Sequence, residues 1–123
     1  APAATTGLYV SLDPFRTYDS AGALAGREQV RVATPRVPAG ASAVVLNLTV
    51  VGAARPGFAR VWSAAAAEPA TSALNWSAPG EIRAAAAITA VSGGAAALVV
   101  DDGGAAPGRA LATILADALG YFT

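Results

Sequence analysis

Nearly all the ionisable side chains of this 123-residue sequence are arginines and carboxylates, eight of each. It has no His, Cys, Lys or Met, so it lacks an imidazole that titrates near neutral pH, a thiolate, an amine for a Schiff base and a soft metal ligand. Paired carboxylates, as in glycosidases, are the one acid–base device left. The candidates are Asp13, Asp19, Glu28, Glu68, Glu81, Asp101, Asp102 and Asp117.

These carboxylates lie beside turn residues or on alternating polar positions, where an Asp often accepts hydrogen bonds from its own turn backbone. We therefore expect structural roles for them and predict that the chain is not an enzyme; a carboxylate-only glycoside hydrolase is the weakest alternative.

Asp101-Asp102-Gly103-Gly104 suggests calcium, but the spaced D-x-D-x-D-G pattern is absent. The sequence also has no G-x-S-x-G elbow and no phosphate-binding loop. We predict no catalytic residue, no cofactor and no metal.

Trp62 and Trp76 are the remaining candidates for a ligand site. Exposed aromatic rings can stack on the apolar faces of sugars, so either indole is a candidate glycan platform. A core or interface role is favoured, because the chain has only eight aromatic residues with which to fill its interior.

Length and composition indicate one globular domain over residues 8–123. More than half of the residues are apolar, although thirty-four of them are Ala, which buries little area. A net charge of zero provides no electrostatic footprint for nucleic acid or an anionic membrane, and no apolar run approaches the roughly 20 residues needed to cross a bilayer.

Residues 1–7 match no core pattern and are expected to form a flexible arm. They lack the basic and apolar regions of a signal peptide, which leaves two histories open: removal of an initiator Met, or cleavage of a signal upstream. The arm is a candidate partner-binding segment, able to add a strand to another sheet. Its candidate contact residues are Ala1, Pro2, Ala3, Ala4, Thr5 and Thr6.

Alternating residues predict strands, most clearly over Ala43–Val51, with others around Val30–Val32 and Phe58–Trp62. The short β-branched run Leu98–Val100, which ends in a turn, predicts a further strand. Frequent Gly and Pro turn signals favour an all-β fold, a single antiparallel β-sandwich or barrel-like domain. Two segments conflict with this interpretation. Residues 83–90 are rich in Ala, the best helix former, and the apolar residues of 111–119 have helical spacing, so propensity alone favours helices there.

Five motifs resemble a module of actinobacterial secreted and surface proteins and of the virion proteins of their phages. They are Leu12-Asp13-Pro14-Phe15-Arg16-Thr17-Tyr18-Asp19-Ser20, Val37-Pro38-Ala39-Gly40-Ala41-Ser42-Ala43-Val44-Val45-Leu46-Asn47-Leu48-Thr49-Val50, Gly57-Phe58-Ala59-Arg60-Val61-Trp62, Ser72-Ala73-Leu74-Asn75-Trp76 and Ile114-Leu115-Ala116-Asp117-Ala118-Leu119-Gly120-Tyr121-Phe122. The module's usual pattern runs from L-x-P-x-R-L-x-D-T-R through V-P-x-G-A-x-A-V-x-L-N-V-T and S-x-L-N-[FYW] to V-x-D-V-x-G-Y-F. Asp19-Ser20 departs from its D-T-R step. The resemblance implies an all-β, non-catalytic module and a strand over 111–122.

The resemblance implies a structural virion protein of an actinobacterial phage, most specifically a decoration (minor capsid) protein on the capsid exterior. Its expected partners are the major capsid protein or another virion protein and further copies of itself, as a homotrimer. Its expected location is the virion surface, after assembly in the host cytoplasm. The alternative is a secreted cell-surface module that binds carbohydrate or cell wall through Trp62 or Trp76.

Overall fold

The strand predicted over Ala43–Val51 lies at the centre of the fold. In the computed structural model, which describes residues 7–102 and 109–123, β4 spans Ala43–Val51. Its even-numbered side chains point into the interior and are fully buried: Val44, Leu46, Leu48 and Val50. The odd-numbered side chains are partly exposed, as the alternation requires.

The strands of the described residues form two antiparallel sheets packed as a sandwich. They are β1 (Tyr9–Asp19), β2 (Leu24–Ala25), β3 (Val30–Ala33), β4 (Ala43–Val51), β5 (Gly57–Ser63), β6 (Leu74–Trp76), β7 (Arg83–Ala90), β8 (Ala95–Asp101) and β9 (Ala110–Phe122). The first sheet has the order β1-β9-β4-β7, with β2 also paired to β9, and the second has the order β3-β8-β5-β6. The predicted all-β sandwich is confirmed.

The main core lies between the two sheets. Leu98 and Val100 of β8 and Leu74 of β6 contribute from the second sheet, opposite β4 and Ile114 of β9. Ala fills several interior positions of β8 and β9, which lets the sheets approach closely without large side chains. The core therefore depends on a limited number of Leu, Val and Ile residues, each of which contributes about 1.5–3 kcal/mol through burial.

Residues 83–90 form strand β7, so the helix that propensity alone favours for this segment is not formed. Eight residues pair with β4 in unbroken register, from Val50↔Arg83 to Ala43↔Ala90. Helix propensities differ by less than about 1 kcal/mol per ordinary residue, so pairing along a central strand and burial of Ala87 and Thr89 outweigh them.

The helical spacing over residues 111–119 is also misleading, and the strand implied by the family resemblance is confirmed. β9 pairs with β1 on one side and β4 on the other, so both of its edges are satisfied. Its small residues Ala112, Ala116 and Ala118 point inward with Ile114, while Leu115 and Leu119 are only partly buried. Both faces of the strand carry apolar residues, which produced the apparent helical period.

Two segments lie outside the described residues. They are residues 1–6 of the predicted arm, of which only Gly7 is described, and residues 103–108. The amide of Gly7 donates to the carbonyl of Thr123 at 2.8 Å, so the two ends of the described chain meet beside β1. Nothing in the described ranges forms a helix long and apolar enough to span a membrane.

Candidate interaction surface

Six of the eight carboxylates form contacts that hold turns or strands together. Asp117 accepts from Arg16 on the neighbouring strand β1, and Asp19 accepts from the amide of Ala21 in a turn. Glu81 accepts from the amides of Ser77 at 2.8 Å and Ala78 at 3.0 Å. The Ser77 amide, followed by that of Ala78, lowers the pKa of Glu81 against the opposing effect of its partial burial. The other three are Glu68, Asp101 and Asp102.

A second group of ion pairs fixes a surface loop, residues 64–73, to the second sheet. Glu68 in this loop accepts from Arg27 at 2.9 Å and also contacts Arg60 of β5. Arg27 also donates to Asp101 at the end of β8, at 2.9 Å. The backbone of Arg27 has a φ of 65°, a conformation that is costly for a residue other than Gly. Its ion pairs with Glu68 and Asp101 hold it in this conformation, together with a hydrogen bond from its backbone amide to the carbonyl of Val100.

Titration of Glu68 is expected to loosen this loop in acid. The hydrogen bond from Arg27 lowers the pKa of Glu68, with a further contribution from Arg60, against the opposing effect of partial burial. A carboxyl whose pKa is lower in the folded state stabilises the fold above its unfolded pKa of about 4.3. That contribution is lost as the pH falls through the lower, folded-state value.

Glu68→Gln should therefore lower the free energy of unfolding by about 1 kcal/mol at pH 7 and by less at pH 3, because the stabilisation by the charged carboxylate diminishes below the unfolded pKa of about 4.3. Trp62 lies below the loop and donates to Ala66 at 3.1 Å, so acrylamide quenching of its fluorescence should rise in the variant. Urea unfolding at both pH values measures the first effect. Glu28→Gln, at an exposed site, is the charge-matched control; equal losses in the two variants would contradict the prediction.

Asp102 is held by arginines, in place of the cation considered from sequence. It contacts Arg109 and lies 3.6 Å from Nε of Arg55. No group of three or more His, Cys, Asp or Glu side chains suited to a metal ion occurs within residues 7–102 and 109–123. No cavity is found in that part of the chain either.

Both tryptophans are buried. Trp76 is 3% exposed, and its indole N–H donates to the carbonyl of Arg55 at 2.9 Å. Trp62 is 6% exposed and packs with Ala97 and Val99 on the other side of the second sheet, under the 64–73 loop. A sugar-stacking platform needs an exposed ring face, and neither residue presents one in this conformation. The core role expected for Trp76 agrees with this placement.

An uncharged surface lies on the outer face of the first sheet, at the end near Gly7 and Thr123. Two rows of residues cross its four strands in register, as the pairing of β1, β9, β4 and β7 shows. The rows are Tyr9–Phe122–Ala43–Ala90 and Ser11–Gly120–Val45–Ile88. We call these eight residues the neutral face.

The neutral face has large exposed side chains at both ends and a flat centre. Tyr9 is 50% exposed and packs against Phe122 with ring centroids 5.4 Å apart, and Ile88 is 67% exposed. Gly120 lies directly under the Tyr9 ring, which a Cβ at this position would meet. A glycine is therefore required for the ring to lie flat on the sheet.

Polar residues begin in the next two rows. Arg16–Asp117–Asn47–Ala86 contains one ion pair, with Arg16 Nε 2.8 Å from Asp117 Oδ1, and Asp19–Leu115–Thr49–Ala84 follows. Exposed apolar residues grouped together and bordered by polar ones are typical of protein contact sites. The candidate arm residues 1–6 lie outside the described part of the chain, which begins at Gly7, next to the neutral face.

No family model matches this chain, and no curated protein matches it. Among solved structures it is similar to the coat protein dimer of Tobacco streak virus, determined at 2.4 Å, with a TM-score of 0.43 and 12% sequence identity. The match covers 97% of this chain and 89% of the coat protein chain. The two share little sequence and only part of their three-dimensional arrangement.

Proposed function

We propose that this chain is a non-catalytic structural protein of an actinobacterial phage virion, a decoration protein on the capsid exterior. The observation that carries the proposal is the neutral face, a flat sheet surface with exposed Tyr9 and Ile88 and no charge in two complete rows. Such a surface suits contact with another folded protein more than capture of a small substrate, which usually binds in a concave pocket. The motif resemblance to a module of phage virion proteins supports the same assignment.

The charges of the domain are consistent with a structural role. Most of its carboxylates form ion pairs or turn contacts that stabilise the sandwich, and the net charge is zero. Binding would then depend on buried apolar area and backbone contacts, and only weakly on long-range attraction.

The proposed partner is the major capsid protein or another virion protein, and the proposed location is the capsid surface. Residues 1–6 are the candidate segment for a second contact, in which they add a strand to a sheet of the capsid partner. Three copies at a threefold or quasi-threefold position form the bound assembly, since a capsid lattice repeats such positions.

Capsid binding should be resistant to salt. Purified chain added to capsids of the phage that encodes it should remain bound, after pelleting, in about 1 M NaCl, where the Debye length is about 3 Å. Release in molar salt would contradict binding through an apolar face. Binding that never occurs would reject the virion assignment itself.

A charge placed within the contact surface should strongly weaken capsid binding. Val45→Glu places a carboxylate at the centre of the neutral face, and we expect at least a tenfold loss of bound chain after pelleting. Gln29→Glu adds the same charge at an exposed position outside the first sheet and is the matched control. Equal binding by both variants would show that the neutral face is not the contact surface.

A further inference from the structure

The outer edge of β7 lacks the features that normally prevent a sheet from pairing with another chain. Among the described residues β7 pairs with β4 alone, so its other edge presents unpaired backbone groups. Residues 84–90 contain no charge, no Pro and no register shift. Its outward side chains, Ala84, Ala86, Ile88 and Ala90, are all exposed and apolar. Long, flat, apolar edges of this kind are sites of strand addition.

The other three sheet edges of the described chain are protected. β1 carries Asp13, Pro14, Arg16 and Asp19 and has two register shifts against β9. Thr17 of β1 also donates from its hydroxyl to the carbonyl of Ala33, which ties this edge to the second sheet. β3 has four residues, including Arg31, and β6 has only three. The contrast singles out β7 as the edge that is available for pairing.

We propose that β7 pairs in antiparallel fashion with β7 of a second copy, which makes a twofold dimer with one continuous sheet across both domains. This inference goes beyond the virion assignment and does not depend on it. An uncharged strand offers nothing to attract a charged partner, whereas two copies of it meet without like charges opposite each other. In an antiparallel pair the two Arg83 side chains, at the start of each strand, lie at opposite ends of the contact.

The twofold axis of such a pair is perpendicular to the sheet, so both neutral faces point to the same side. Dimerisation thus doubles the flat apolar surface without covering it. Each β7 edge accepts one partner, so in the free chain this contact produces pairs; the trimer proposed for the capsid uses a different surface of the domain.

The size of the contact predicts a weak dimer. An eight-residue strand is about 27 Å long, and two sheets separated by about 10 Å make a flank about 20 Å deep. This corresponds to roughly 540 Å² per copy, or about 1,080 Å² for the two copies together. That total lies close to the value of about 1,000 Å² that separates specific interfaces from incidental contacts. We therefore expect dissociation in the micromolar range.

The mass of the free chain in solution tests the proposal. Sedimentation equilibrium between about 1 and 500 µM should show a shift from 12.0 kDa toward twice that mass. Ile88→Lys, which places two like charges on either side of the twofold axis, should weaken the dimer at least tenfold. Ile82→Lys makes the same change at a residue 71% exposed but outside β7, and should leave the dimer intact. Circular dichroism and thermal melting confirm that both variants are folded.

A crosslinking experiment identifies the edge itself. The sequence has no Cys, so Ala86→Cys introduces one thiol on β7 and Ser11→Cys one on the opposite edge, β1. A short bis-maleimide should join copies of the first variant and not of the second. The proposal is overturned by a monomer at all concentrations, by a trimer, by equal loss of the dimer in both Lys variants, or by crosslinking through Ser11→Cys. A failure of the chain to bind capsids would contradict the virion assignment but would not affect the dimer.

Discussion

Replacement of Trp76 by Ala should lower the free energy of unfolding by about 3–5 kcal/mol, which is a large part of the stability of a domain this size. The indole is 3% exposed and belongs to the main core. It also lies against Gly57, where a Cβ would be 2.9 Å from Cζ2 of the ring. Its loss leaves a cavity and removes the hydrogen bond to the carbonyl of Arg55.

Two further variants separate packing from hydrogen bonding at Trp76, and urea unfolding measures all three. Trp76→Phe keeps most of the apolar volume but leaves the Arg55 carbonyl without its donor, so a loss of about 1–3 kcal/mol is expected. Trp62→Ala should cost less than Trp76→Ala, because Trp62 packs in a small cluster outside the main core. A cost below 1 kcal/mol for Trp76→Ala, together with loss of binding in a cell-wall pull-down, would favour the glycan-binding alternative.

The central strand was predictable from sequence because its two faces differ in chemistry. In β4 the interior positions are Val and Leu, while Asn47 and Thr49 occupy the outer face, so a period of two is visible without knowledge of any neighbour. β3 and β5 were located for the same reason, and β8, which is buried on both faces, by its run of Leu98, Val99 and Val100 before a turn; the ends of all three strands shifted by one or more residues. The short strands β2 and β6 are too brief to show a period.

β7 and β9 were harder because Ala carries little information about which way it points. In β7 the interior position of Ala87 and the exposed position of Ala86 hold the same residue type. The alternation is therefore hidden, and helix propensity becomes the strongest local signal. Only the register with β4, which is a tertiary feature, decides the outcome.

The neutral face could not be predicted, because it combines residues from four strands that are distant in sequence. A register shift between Val45 and Leu46, where β4 pairs with β9, brings Gly120 opposite Val45 on the outer side. One partial signal was present: a Gly beside the aromatic residues Tyr121 and Phe122 marks a place where another group approaches the backbone closely. The sequence did not indicate that this group is Tyr9.

Leu46→Ala should lower the free energy of unfolding by about 2–5 kcal/mol. Leu46 is fully buried, and its strand is paired on both sides, so the backbone is held in place and cannot easily collapse into the cavity. Thr49→Ala, on the outer face of the same strand, truncates a partly exposed side chain without making a cavity and should lower the free energy of unfolding by no more than about 1 kcal/mol. Urea unfolding of both variants measures the difference between the two faces. Equal losses would mean that β4 does not separate a core from an outer surface, and the neutral face would lose its structural basis.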